Sequence, residues 1–132
     1  MKYQIEILSV DEFVENVLKI NLSGVVLEVL TLNLPFPLDK THHYMVDLEP
    51  KVFDDYQVIE TNEEVGFKKI GNTLGYNIVG VLINGVIHVD DLLIFDEILL
   101  SDYGYLDNRK VKWMVDRIDI DFEWNEFLFS NF

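Results

Sequence analysis

The tightest constraint on this chain is a hairpin between residues 76 and 89. Asn84-Gly85 separates two apolar runs, Tyr76 to Ile83 and Val86 to Val89. Asn-Gly is preferred in two-residue hairpin turns because both positions take positive φ. The chain begins with another strand signal. From Lys2 to Leu8, Tyr3, Ile5 and Ile7 fall on one face while Lys2, Gln4 and Glu6 fall on the other. Val25 to Leu34 predicts a long strand, stopped by Pro35-Phe36-Pro37, because proline cannot donate to a ladder. Shorter strands are expected at 44–48 and 56–60. The glycine-bearing stretch 61–75 reads as loop, 91–100 as an apolar segment with acidic interruptions, and 101–108 as loop.

The last strand signal, Lys110 to Trp124, changes phase. Val111, Trp113 and Val115 share one parity; Ile118, Ile120, Phe122 and Trp124 share the other. One inserted residue flips a period-2 pattern onto the opposite face. A bulge near Asp116-Arg117, or a strand bending across two faces of a barrel, would do this. Arg117 between Asp116 and Asp119 predicts an ion pair that pins the bend. One short N-terminal helix is also expected. Ser9-Val10-Asp11-Glu12 resembles a capping box before Phe13, Val14, Val17 and Leu18, with Asn21 to Gly24 as its end.

Composition supports a β-rich chain. Alanine, the best helix former, is absent, whereas β-branched and aromatic residues are abundant. The expectation is one mainly β domain over residues 1–132, with β-rich α+β as the wider class. Its form would be a small antiparallel barrel or sandwich, OB-like or SH3-like. There are no cysteines, so disulfides, thiolate zinc sites and thiol nucleophiles are excluded. No apolar run approaches the ~20 residues of a membrane helix, and the N-terminus lacks a signal-peptide pattern. A cytoplasmic protein is expected.

The 24 acidic against 10 basic residues give a formal net charge of −14. Such a field repels phosphate backbones and anionic lipid heads, so neither direct nucleic-acid binding nor membrane binding is expected. The excess acid either keeps the protein soluble or steers it toward a basic partner.

No motif supports catalysis. The serines stand outside any nucleophile elbow, and the glycines form no phosphate loop. His43, Asp47, His88 and Asp90 would compose a metal site only if their strands paired; the plainer alternative is surface or half-buried histidines. Asp54-Asp55, Asp90-Asp91 and Asp96-Glu97 are close carboxylate pairs, but a chain this acidic produces them without function. No catalytic, metal or cofactor residue is therefore assigned. The expected partner-binding set is Asp90, Asp91, Asp96, Glu97, Asp102, Tyr103, Tyr105, Asp107 and Trp124. The acids would speed association and the aromatics would anchor it.

The expected function is a non-catalytic acidic binding protein. An inhibitor or immunity-type module that occludes a basic partner, such as a nuclease toxin, is its sharpest form. A structural or assembly subunit of phage or secretion-system type is the alternative, with a small ligand-binding barrel behind it. The aromatics Phe122, Trp124, Phe127, Phe129 and Phe132 either pack back over the barrel or form a homo-oligomer or partner surface.

Overall fold

The computed structural model describes residues 2–35 and 37–123. Its contacts divide the chain into two compact units. One takes the chain up to Glu49 and resumes at Arg117; the other is Pro50–Asp116.

The first unit is built on a closed barrel of five strands: β1 (Lys2–Val10), β2 (Val17–Leu22), β3 (Val25–Leu30), β4 (His43–Lys51), whose last two residues belong to the second unit, and β11 (Arg117–Phe122). β4, β1, β2 and β3 lie side by side in Greek-key order. β11 closes the circle, parallel to β3, with Asp119 opposite Leu30. Five strands in a Greek-key barrel match the OB-like expectation. The alternation read in β1 is kept: Tyr3, Ile5 and Ile7 are buried. Ile20, Leu22, Leu27, Val29, Tyr44, Val46, Ile118, Ile120 and Phe122 complete an apolar core.

The second unit is a six-stranded sheet. β5 (Gln57–Glu60), β10 (Lys110–Val115), β7 (Tyr76–Ile83), β8 (Val86–Val89) and β9 (Leu92–Phe95) run in that order, and β6 (Gly66–Lys69) also pairs with β7. Helix α1 (Glu97–Asp102) and a 3-10 turn at Gly104–Leu106 follow β9; each buries one leucine, Leu99 and Leu106. The hairpin forms as expected, with Asn84 and Gly85 at φ 50° and 79°.

The N-terminal helix is a correction. Residues 11–16 form a turn between two strands, and the short helix lies at 97–102 instead. The Asp11 carboxylate accepts the N–H groups of Phe13 and Val14, each at 2.8 Å, and curls the chain locally. Asp side chains favour such turns over helix interiors for this reason. Val17 and Leu18 then enter β2, and Ser23-Gly24 forms a hairpin turn at φ 51° and 89° instead of a helix end.

The phase change before Trp124 is a real change of sheet. β10 pairs with β5 and β7 in the second unit, whereas β11 belongs to the barrel. At the break, Asp116 donates its N–H to the Lys51 carbonyl at 2.8 Å and accepts the Phe53 N–H at 2.7 Å. Arg117 pairs with Asp119 through two hydrogen bonds of 2.6 and 3.1 Å. The expected ion pair therefore exists, with Asp119 as its carboxylate.

Candidate functional site

Segment 90–107 carries every expected partner-binding residue except Trp124, which lies outside the described residues. It runs from the β8–β9 turn through β9 and α1 to the residue after the 3-10 turn. Asp90, at φ 53°, and Asp91 are exposed in that first turn. β9 then separates them from the others by about 13 Å of extended chain. At its far end Val86 pairs with Phe95, so Asp96 lies beside the Asn84-Gly85 turn.

A tyrosine outside the expected set organises this end. The Tyr56 hydroxyl donates to Asp96 at 2.7 Å, and the Tyr103 hydroxyl donates to the Tyr56 carbonyl at 2.8 Å. The two rings stack at 5.7 Å. Trp113, fully buried, lies 5.5 Å beneath Tyr56, and Tyr105 lies 6.0 Å from Tyr103. The result is an aromatic ladder from the core to Tyr105, which is 72% exposed. Its inner rungs fix the backbone from which Glu97, Asp102 and Tyr105 project.

Asp107 has a structural task. Its carboxylate accepts the Asn84 N–H at 2.9 Å, holding the hairpin turn. Glu97 and Asp102 are exposed, and the Ser101 hydroxyl bonds Asp102 at 3.0 Å. Ion pairs lie elsewhere, among them Lys2 with Asp47, Lys68 and Lys112 with Glu63, Arg109 with Glu60, and Arg117 with Asp119. Among the described residues, none of the six carboxylates from Asp90 to Asp107 has a cationic partner. This charge was free to gather because segment 90–107 contains no lysine or arginine.

Burial and the Asp96 carboxylate push the Tyr56 hydroxyl well above the ordinary tyrosine range. Burial, helped by Asp47, pushes Tyr3 up to about 12. Both are neutral acids with raised folded values. Their contribution to stability is complete below about pH 10, the unfolded tyrosine value, and is lost as pH rises beyond it. Absorbance titration of the six tyrosines should show Tyr3 and Tyr56 still protonated at about pH 11. Tyr56→Phe should remove one late step; an unchanged count of late steps would refute the assignment.

The histidine–acid constellation is divided. His43 and Asp47 lie in the barrel; His88 and Asp90 lie in the sheet unit. Asp47 pairs with Lys2 at 2.8 Å. His43 Nδ1 lies 2.6 Å from Gln4 Nε2, and its Nε2 lies 3.8 Å from a Glu6 carboxylate oxygen. Beside them is an open cavity of about 240 Å3, which Asn21 and Ser23 also line. Among the described residues no group of three or more His, Asp and Glu side chains is arranged to hold a metal ion. No helix among them is long and apolar enough to cross a membrane.

Fold and site together define an acidic protein with an OB-like barrel and a sheet unit whose aromatic segment 90–107 carries no lysine or arginine. The chain belongs to the family described as uncharacterised conserved protein UCP019853, which it matches over residues 1–123. No curated protein matches it, and no solved structure does.

Proposed function

We propose that this protein is a non-catalytic binding module that recognises a basic protein through the far end of segment 90–107. The carrying observation is that Glu97 and Asp102 stand exposed, without cationic partners among the described residues, on the same segment as the exposed ring of Tyr105. Unpaired carboxylates raise the encounter rate with a cationic surface. A ring held at the end of a packed ladder loses little entropy on binding, as an anchor requires. Tyrosine also stacks against guanidinium and ammonium groups. Occlusion of a basic enzyme such as a nuclease toxin is the sharpest form of this reading, with carboxylates standing where nucleic-acid phosphates would lie.

The test is recovery of a partner on the immobilised protein at low ionic strength. A strongly basic protein is expected, released in about 1 M salt, where the Debye length falls to about 3 Å. With that partner purified, the double variant Glu97→Gln/Asp102→Asn should associate about tenfold more slowly in low salt. Association indifferent to both salt and substitution would reject the proposal. A toxin gene directly upstream would favour the inhibitory form; neighbouring virion genes would favour an assembly role.

A further inference from the structure

We infer that the β1–β2 loop of the barrel is a preformed apolar plug, seated by Phe13 and Val14 in a partner protein's apolar pocket rimmed with lysine or arginine. Phe13 is 93% exposed and Val14 54%. A single exposed apolar residue is ordinary on protein surfaces. Here two neighbours project from a loop whose backbone is held without their help.

Asp11 holds it from inside, since one carboxylate oxygen accepts the N–H groups of both Phe13 and Val14. The Asp11 N–H donates to the Val17 carbonyl at 2.9 Å, closing the loop at its base. Asn16 takes the left-handed conformation at φ 67°, and its carbonyl accepts the Thr31 N–H at 2.9 Å. That last bond ties the loop to the chain leaving β3. The next residue there, Leu32, is 84% exposed. Three large apolar side chains therefore project from two segments joined at one end of the barrel.

The order of this loop is supplied by polar and backbone contacts, so its tip needs no packing to hold its shape. A partner meeting it has little loop entropy to remove, which favours tight anchoring. Phenylalanine entering a closed pocket sheds its whole hydrated surface at once.

Charge decides among the possible occupants. Glu12 and Glu15 flank the tip, both exposed and, among the described residues, without ion-pair partners. This acidic collar opposes nucleic acid and anionic lipid surfaces. In a two-fold contact with a second copy the collar would meet itself, because the same patch is used on both sides. A different protein with a basic rim around an apolar pocket satisfies the tip and the collar together. The inference does not rest on segment 90–107, which belongs to the other unit.

The test places a photo-cross-linking phenylalanine analogue at position 13 of the full chain, expressed in its native host. The same analogue at Phe53, exposed in the second unit, is the control. Position 13 is expected to label one protein that position 53 does not. The linked peptide should map to an apolar pocket bordered by lysines or arginines. With that partner purified, Phe13→Ser should weaken binding by about 30-fold or more, the effect of losing an anchoring aromatic. The melting temperature should stay unchanged. Glu12→Gln/Glu15→Gln should slow association several-fold at low salt and leave dissociation unaltered. Labelling of a second copy, binding to lipid vesicles, labelling no different from position 53, or full affinity in Phe13→Ser would each overturn the inference.

Discussion

Gly80→Ala should destabilise the protein by about 3 kcal/mol, the upper part of the usual range for overpacking. Gly80 is buried in the middle of β7, opposite Val111 of β10. A Cβ placed on it would overlap the carbonyl oxygen of His88 and lie 2.7 Å from Ile87 Cγ2 and 2.9 Å from the His88 carbonyl carbon. Two of those three atoms are backbone, so no side-chain rotation relieves them. The β7–β8 ladder must part, and that ladder joins β8 and the edge strand β9 to the rest of the sheet. Glycine in a strand marks such a close approach of another backbone. Chemical denaturation should show a lower midpoint, with faster amide exchange at Ile87 and Val89. An unchanged midpoint would mean that β8 yields more easily than its hydrogen bonding implies.

What the sequence made legible follows from how local each signal is. The 76–89 hairpin needs only its own residues, because Asn-Gly chooses the turn and the flanking apolar runs choose the strands. The alternation in β1 and the parity switch near Asp116 are equally local, and both correspond to real features. The N-terminal helix failed because two local signals compete there. The spacing of Phe13, Val14, Val17 and Leu18 fits a helical stripe, but Asp11 bonds the backbone two and three residues on. Phe13 and Val14 end on no core at all. Gly66-Phe67-Lys68-Lys69 reads as loop because it has little intrinsic strand character; pairing with β7 makes it β6.

The candidate site divides in the same way. Its acids and tyrosines could be named from the chain, but their tasks could not. Asp107 holds a turn 23 positions away, and Tyr56 reaches Asp96 across 40. Nothing near Tyr56 in the sequence announces that role. The separation of Asp90 and Asp91 from Glu97 and Asp102 needed the length of β9, which the apolar run 91–100 concealed.

The ladder beneath the site carries the largest expected effect. Trp113→Ala should cost about 4 kcal/mol, as for other fully buried large aromatics. Trp113 lies opposite Val58 of β5 and Ile78 of β7 and supports the Tyr56 ring. Among the described residues its indole Nε1 has no acceptor within hydrogen-bond reach, so its contribution comes from volume and ring contact. Trp113→Phe should therefore cost far less, about 1 kcal/mol, since it keeps an aromatic body and breaks no hydrogen bond. The two variants separate packing from polarity, and denaturation curves measure both. Under conditions where Trp113→Ala remains folded, Tyr56 should lose its support, the stack with Tyr103 should loosen, and Tyr56 should titrate nearer the ordinary tyrosine range. Equal costs for the two variants would show that the indole's own shape or polarity matters. An unaltered Tyr56 titration in Trp113→Ala would show that the Asp96 bond alone holds the ring, and that the buried tryptophan does not support the surface on which recognition is proposed to rest.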